Sequence, residues 1–511
     1  MPNFKTYNQA QPMLLPPSLS ECLPKDHVCF IINDIVNNLD LSAVEKTYLS
    51  GGCSAYHPRM MTKVLFYGYV QKIRSSRKLE AELYQNIPFR FLSGNQQPDH
   101  GTINLFRKNH LVNLKEVFTQ IMFLAGNLKS IDFGDVAIDG TKIKANASKK
   151  NTFDQAKIDK FKQELDQFFA EADDIDKKED DQFGESRGYD TMPKEMIDPV
   201  VRQAELAKRK AMLEKLLQAE KNIKDKLAKV GTSEEKKLKK NSTSNTTDPD
   251  CNLMKMKDKS YKMAYNVQLA TTEQIITAYD LNGEPNDVSS FQTMVERVEE
   301  NTGLKVETIE ADAGYYSKPN LQFCESKDID TYIPDEMKSK EEGQDRNNKI
   351  PKYDRRNFQY NEQSDELICP EGKHLKLKDK TRTGSKRYAC RDCKTCPVRK
   401  DCTKGKSKYR ILTYDHKHEQ RTKEMREKLN SDSGKAIYLK RMSNIEPVIG
   451  NIKYNGNFTE FHCRGKTTTL IEVGLLSIAH NLIKTFHLIK NDQKDREEIQ
   501  WNSLMRLQTT S

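Results

Sequence analysis

The sequence predicts an α/β protein whose core is interrupted by insertions, and three observations lead to this prediction. Strand-like apolar runs at 131–139 and within 261–335 alternate with a helical stretch, which is the order of an α/β fold. Residues 27–50 and 58–130 carry apolar side chains at helical spacing, so a helical region precedes the first strand. The mean hydropathy of −0.81 agrees with a modest core that carries extended charged segments.

Shifts in composition and periodicity divide the chain into a helical region, an α/β core in separate pieces, and two insertions. We predict the helical region at 1–130, the first part of the core at 131–145 and 246–335, a helical insertion at 146–245, a basic Cys-rich insertion at 336–432, C-terminal helices that complete the core at 433–490, and a polar tail at 491–511. In the helical insertion, apolar residues step by three and four in two stretches, which predicts two helices packed as a hairpin. These residues are Ile158, Phe161, Leu165 and Phe168, and then Leu213, Leu216, Ile223, Leu227 and Val230.

The chain has a net charge of +10, and its basic residues are concentrated in one segment. Residues 369–410 contain 15 Lys and Arg against 4 Asp and Glu, a local net charge of +11. Such a segment favours a polyanionic partner such as DNA, with salt-sensitive backbone contacts. No apolar run approaches the roughly 20 residues that span a bilayer, and no signal peptide is visible. We therefore expect a soluble, cytoplasmic and nucleoid-associated protein without a membrane partner.

Five cysteines follow one another closely within the basic segment. They are Cys369, Cys390, Cys393, Cys396 and Cys402. Two Cys-x-x-Cys steps with flanking cysteines are typical of a structural Zn²⁺ site with thiolate ligands in a reducing compartment. Zinc takes four ligands, so four of the five would bind it. The alternative is a set of free thiols in a loop.

Two aspartates and one glutamate have the arrangement of a metal-dependent phosphodiester site. Asp139 and Asp312 each follow an apolar run and precede a Gly-containing turn, so both are predicted to lie where a strand ends. Joined by an acid from a helix, such as Glu446, they could hold the two divalent cations that flank a scissile phosphate. Each acid also has a structural alternative. The aspartates could be turn or cap residues, and Glu446 could form a capping box with Ser443.

The segment around Glu446 resembles the Tyr-Arg-Glu-Lys signature of a subgroup of DDE transposases from bacterial insertion sequences, which have an RNase H-like fold. The signature residues here are Tyr438, Arg441, Glu446 and Lys453. Their spacing agrees with the family except that four residues, not three, separate Arg441 from Glu446. The stretches "SSRKLEAEL", "DPDCNLMKMKDKSYKMAYNVQLA", "ADAGYYSKPNL" and "RGKTTTLIEVGLLSIAHNLIK" also match the family. The resemblance therefore extends over roughly residues 20–490.

The resemblance implies an RNase H-like catalytic core, a helical N-terminal DNA-binding domain at 1–130, and a zinc-ribbon-like Cys-rich insertion. Asp139, Asp312 and Glu446 would bind Mg²⁺ or Mn²⁺, two ions per site. The enzyme would cleave DNA at the ends of the element and join the freed 3′-hydroxyl to target DNA. It would act on double-stranded DNA as a homodimer on paired ends.

Several basic and aromatic residues are then expected to contact DNA. Lys453 would hold a phosphate, Arg441 would clamp one with two hydrogen bonds, and Tyr438 would stack on a base or sugar. On the N-terminal helices we expect contacts from Arg77 and Arg107, although charged residues on a solvated helix face are the alternative. Two rival functions remain: a related metal-dependent DNA nuclease that does not join ends, and a non-catalytic DNA-binding protein derived from a transposase.

Overall fold

The computed structural model describes residues 18–48, 54–111, 114–164, 167, 199–228, 243–335, 352–381, 385–403, 409–492 and 498–506. The chain divides into two compact units. The first consists of Met1–Phe133, Asp139–Lys305 and Asn444–Ser511, and the second of Gly134–Ile138 and Val306–Ser443. Both contain helices and strands, as the predicted α/β class requires. Strand β1 (Asp135–Lys144) contributes its first residues to the second unit and the remainder to the first.

Helices predominate at the two ends of the first unit. They are α1 (Val28–Asn38), α2 (Ser42–Glu45), α3 (Pro58–Val70), α4 (Ser76–Gln85), α5 (Ile87–Leu92), α6 (His100–Leu105), α7 (Leu114–Lys129), α15 (Glu446–Gly450), α16 (Lys466–Asn491) and α17 (Trp501–Leu504), with π-helices at Phe106–His110 and Asn451–Asn455. The largely buried α16 packs against α3 and α7, which join it through their apolar faces. The helices predicted within 27–130 and 466–490 are confirmed.

The sheet of the first unit is built on an antiparallel hairpin. Strands β4 (Asn252–Lys255), β5 (Tyr261–Thr272) and β6 (Ile275–Asn282) pair antiparallel, and β5 also neighbours β1. The turn between β5 and β6 is Glu273–Gln274, both with positive φ, as a two-residue hairpin turn requires. Helix α10 (Phe291–Thr302) then ends at Gly303 with φ of 71°, as predicted.

The helical insertion forms the predicted hairpin where the structure describes it. Residues 155–164, named α8, and α9 (Pro199–Ala228) bury Ile158, Leu216 and Ile223 against one another. A small ladder between β2 (Thr152–Asp154) and β3 (Thr243–Asn245) closes the base of the hairpin, where the sequence predicted only a loop. The predicted hairpin residues Leu165, Phe168 and Val230, and the side chain of Leu227, lie outside the described residues.

The second unit contains two sheets. In the first, β1 pairs in parallel with β7 (Thr308–Ala311), and β7 with β8 (Asp330–Tyr332). The second is antiparallel and consists of β9 (Gln359–Asn361), β10 (Glu366–Ile368), β11 (His374–Lys380), β12 (Lys386–Ala389) and β13 (Ile411–Tyr414). The helices of this unit are α11 (Lys318–Lys327), α12 (Arg399–Cys402), α13 (His416–Asn430) and α14 (Asp432–Asn444).

Two expectations about local structure are wrong. Strand β1 does not end at Asp139 but continues to Lys144, because Thr141 and Ile143 point inward and alternate with two outward lysines. The supposed polar tail contains α17, in which Trp501 is 7% exposed, and the Asn127 amide donates 2.8 Å hydrogen bonds to two carbonyls around it. Among the described residues, no helix is long and apolar enough to cross a membrane.

Candidate active site

Asp139 lies within β1 at a place where the backbone passes very close to another carboxylate. The N–H of Gly140 donates a 2.8 Å hydrogen bond to Asp139 Oδ1. A Cβ on Gly140 would lie 2.3 Å from Asp287 Oδ1 and 2.6 Å from Gln268 Nε2, so only glycine fits. The same Asp287 oxygen accepts the side-chain amides of Asn266 and Gln268, each at 2.7 Å. The sequence did not indicate that Asp287 lies at this site. The polar group of Asp287, Asn266 and Gln268 could have been found only if the register of β5 had been known.

Asp312 caps the turn that follows β7. Its Oδ1 accepts the N–H of Gly314 at 2.8 Å, and a short 3₁₀ helix, Ala313–Tyr315, begins there. The parallel register of the second unit pairs Ile138 of β1 with Ala311 of β7. Asp139 and Asp312 are the residues that follow this last pair in the chain. The cap interaction expected as an alternative for Asp312 is therefore present, and it fixes the direction of the carboxylate.

Glu446 is the exposed first residue of α15, directly before Pro447. The capping box with Ser443 is not formed, because the Ser443 hydroxyl donates to the carbonyl of Lys440 within the preceding helix. Helix α15 has no side-chain cap, and it continues into the π-helix Asn451–Asn455. The helix predicted at 434–455 is thus broken between Asn444 and Glu446. Glu446 projects from a short segment instead of from the middle of a long helix.

Lys453 lies in this π-helix, half-buried in the first unit. Burial and, to a smaller extent, repulsion from Lys257 lower the pKa of its ammonium group to about 8, whereas Asp139 opposes the shift. The charges of Lys453 and Asp139 are therefore close enough to interact. Irregular π turns of this kind occur often at functional sites.

Tyr438 and Arg441 lie on α14 in the second unit, where the charge of Arg441 acts on a buried acid of β7. Burial raises the pKa of Glu310 to about 7, Asp135 adds to the shift, and Lys440 and Arg441 oppose it. Glu310 is 3% exposed. One of its oxygens accepts no hydrogen bond from any group that the structure describes. The face of α14 that carries Arg441 therefore lies towards the strand that leads to Asp312.

The two arginines predicted to contact DNA from the N-terminal helices differ in position. Arg77 is exposed on α4. Arg107 is 5% exposed, and it donates to the carbonyl of Arg74 at 3.1 Å, the hydroxyl of Tyr69 at 3.3 Å and Asn104 at 3.1 Å. Its two terminal nitrogens donate within the protein, and its buried Nε has no hydrogen-bond partner among the described residues. The expected DNA contact by Arg107 is therefore corrected to an internal structural role.

The cysteines of the basic insertion gather at one end of the antiparallel sheet. Cys390 and Cys393 are buried in its core, and Cys369 and Cys402 pack against the same core. Burial raises the pKa of Cys390 to about 12, and the Cys393 thiol beside it adds to the shift. Burial also raises the pKa of Cys402, on which the other thiols, including that of Cys396, act as close neighbours. Within the described ranges, no three His, Cys, Asp or Glu side chains stand in a geometry that would hold a metal ion.

Two family models match the chain. The model described as a transposase DDE domain matches residues 368–486, and the model described as a transposase domain (DUF772) matches residues 17–109. No curated protein and no solved structure matches the chain. The first range contains Glu446 and the cysteine cluster, while Asp139 and Asp312 lie outside both ranges.

Two separate transposase domains therefore match the chain, one in each terminal half. These matches support a DDE transposase of insertion-sequence type. Proteins with this domain act on DNA and generally use divalent metal ions such as Mg²⁺.

Proposed function

We propose that the chain catalyses metal-dependent DNA strand cleavage and strand transfer at the ends of an insertion sequence, with Asp139, Asp312 and Glu446 as its catalytic acids. The observation that carries this proposal is the register of β1 and β7. Ile138 pairs with Ala311 in parallel strands, and an aspartate follows each of them. Adjacent parallel strands are about 4.8 Å apart, and this register supports the proposal that the two aspartates share one site.

The parallel pairing of β1 with β7 and of β7 with β8, together with the β5–β6 hairpin beside β1, supports an RNase H-like core. In this proposal the core consists of 131–145, 246–335 and 433–490. The helical domain at 1–130 binds DNA, and the insertions lie between the core segments. Double-stranded element ends and target DNA are the substrates. A homodimer on paired ends is the proposed assembly.

Carboxylate oxygens are the ligands that Mg²⁺ and Mn²⁺ prefer, so the chemistry of the three acids suits these ions. In the described structure the three side chains do not stand in a metal-binding geometry. Asp139 and Asp312 are partly exposed and Glu446 is exposed, so their oxygens remain accessible to an ion and to a phosphate. Two bound ions would activate the attacking hydroxyl and stabilise the leaving oxygen. The hydrogen bonds from Gly140 and Gly314 hold the two aspartates in fixed directions.

The basic residues of the signature have phosphate-binding roles in this proposal. Lys453, whose charge is close to Asp139, binds a phosphate oxygen beside the metal ligands. Arg441 clamps a second phosphate from α14, and Tyr438 on the same helix stacks on the DNA. Arg77 binds the duplex backbone from α4, where it is exposed.

A strand-transfer assay with pre-cut element ends tests the function. Asp139→Asn, Asp312→Asn and Glu446→Gln should each abolish strand transfer and keep binding to the ends. Glu307→Gln, at the opposite, exposed end of β7, should leave both unchanged. Normal transfer by any of the three acid variants would refute the assignment. If the protein cleaves DNA but does not join pre-cut ends, the result favours a metal-dependent nuclease. If it binds DNA but shows no Mg²⁺-dependent cleavage, the result favours a non-catalytic DNA-binding protein.

We also propose a structural Zn²⁺ site made by four of the five cysteines Cys369, Cys390, Cys393, Cys396 and Cys402. The support is their common position at one end of the antiparallel sheet, where four thiols influence one another. Thiolates at this spacing suit tetrahedral zinc. Metal analysis of the purified protein should then find about one zinc per chain. Protein that contains no zinc and has five reactive thiols would refute the proposal.

A further inference from the structure

A cleft of about 540 Å³ opens in the first unit beside Gly140 and Thr141, next to Asp139. Its walls come from β1, from the tip of the β4–β5 hairpin and from the π-helix that carries Lys453. Clefts of roughly 300–1,000 Å³ are the usual size of ligand sites. Six lysines line it: Lys142, Lys144, Lys255, Lys257, Lys262 and Lys453.

The acids that line the cleft neutralise only part of this positive charge. Glu460 pairs with Lys144 at 2.8 Å, and Asp258 pairs with Lys262 at 3.1 Å. The remaining acid, Asp287, accepts two side-chain amides.

The other lysines supply an excess of positive charge. Lys142, Lys255 and Lys257 form no salt bridge in the part of the chain that the structure describes, and Lys257 repels Lys453 across the cleft. A cluster of close, uncompensated ammonium groups is destabilising by itself, and it is relieved when an anion binds. The charge therefore points to a polyanion as the occupant.

An aromatic side chain completes the cleft. Tyr454 follows Lys453 in the π-helix, lines the cleft and is 75% exposed. Grooves that bind single-stranded nucleic acid combine a positive track for the backbone with aromatic rings on which bases stack. In a duplex, neighbouring base pairs cover the faces of each base, so a ring such as that of Tyr454 finds a free base only in an unpaired strand.

We propose that this cleft binds unpaired DNA beside the cleavage site, with a base stacked on Tyr454 and the phosphates held by Lys255 and Lys257. The inference rests on the proposed function in taking DNA as the ligand and in placing the cut near Asp139. It adds residues that the transposase signature does not contain. It also gives the β4–β5 hairpin the role of holding a strand that has separated from its complement.

Equilibrium binding with the full chain tests the inference. The probes are a fluorescent oligothymidine of about 12 nucleotides and a duplex of the same length, measured by anisotropy without added Mg²⁺ or Mn²⁺ so that no cleavage occurs. Tyr454→Ala should weaken oligothymidine binding about five-fold or more, with duplex binding changed by less than about two-fold. Tyr454→Phe should restore the affinity, because a phenyl ring stacks as well.

The lysines are tested by the salt dependence of the same binding. Replacing both Lys255 and Lys257 by Gln should reduce the slope of log affinity against log salt by about 1.4, or 0.7 for each lost phosphate contact on a single strand. The chain offers matched controls on the same hairpin. Tyr261 is 56% exposed and Lys259 is exposed, but neither lines the cleft, so Tyr261→Ala and Lys259→Gln should match the wild type.

The inference is overturned if Tyr454→Ala binds oligothymidine like the wild type. It is also overturned if that variant loses duplex and single-strand binding equally, or if Tyr261→Ala has the same effect. These results are independent of catalysis. A wild-type protein without strand-transfer activity would refute the proposed function and leave the binding result standing. Normal transfer together with unchanged oligothymidine binding by Tyr454→Ala would refute this inference alone.

Discussion

Replacing Arg107 by Ala should strongly destabilise the N-terminal helical region, although a surface arginine there was expected to bind DNA. The side chain is 5% exposed, and two of its acceptors, the Tyr69 hydroxyl and the Arg74 carbonyl, are also buried. A buried acceptor left without its donor costs about 1–3 kcal/mol. Two such losses give about 2–6 kcal/mol, a range that includes the cost of about 3–5 kcal/mol for breaking a buried charged interaction.

Urea unfolding followed by tryptophan fluorescence measures this cost, because Trp501 lies in the same unit. With an m-value of about 3 kcal/mol per M, a loss of 3 kcal/mol lowers the midpoint by about 1 M. The exposed Arg77→Ala should change the free energy of unfolding by less than about 0.5 kcal/mol. Arg77→Ala should instead weaken DNA binding. The folded fraction of Arg107→Ala should keep its DNA binding. A stable Arg107→Ala with weakened DNA binding would refute this reasoning.

Three further predictions concern buried groups of the first unit. Burial lowers the pKa of His480 from 6.5 to about 4, so the neutral ring stabilises the fold above pH 6.5. As the pH falls from 6.5 towards 4, about 3 kcal/mol of stability should be lost in urea titrations, and His480→Gln should flatten that loss. Gly140→Ala should cost about 1–3 kcal/mol through its clash with Asp287. Gly450→Ala, with open space around it, should stabilise helix α15 by about 0.5–1 kcal/mol. In thermal unfolding, a melting temperature that rises for Gly140→Ala or falls for Gly450→Ala would contradict the respective prediction. Glu472→Gln should lower stability by about 1–3 kcal/mol. The buried carboxylate accepts the N–H groups of His462 and Cys463 at Oε2 and contacts the backbone N–H and the ring of His462 at Oε1, whereas an amide offers only one oxygen. An unchanged melting temperature would argue against this.

The parts of the fold that depend on local spacing could be predicted from the sequence. The N-terminal helices follow from apolar residues three and four apart, and α10 ends at Gly303 because glycine adopts a left-handed φ there. Strand β1 was cut short because Gly140 was interpreted as a turn residue. Because Gly140 has no side chain, Asp287 can instead approach the backbone of β1 closely, although it comes almost 150 residues later in the chain.

Contacts between distant segments were beyond such reasoning. The β2–β3 ladder joins residues on both sides of the helical insertion, and the strands of the Cys-rich insertion have little alternation to reveal them. At the candidate site, chain position indicated Asp139, Asp312 and Glu446. Burial decided that Arg107 is internal, and exposure within a basic cleft drew attention to Tyr454. Neither property can be read from residue type alone.

The division of β1 between two units has a consequence for protein synthesis. The first residues of β1 pair with β7, so Asp135 has no partner on β7 until Thr308 has been synthesised. The second unit, to which both residues belong, extends to Ser443. During translation at about 5–20 residues per second, this edge of the strand remains unpaired for many seconds. Contacts of such long range form slowly. A nascent chain that has not reached Thr308, or a chain terminated before it, therefore lacks the partner strand of β1.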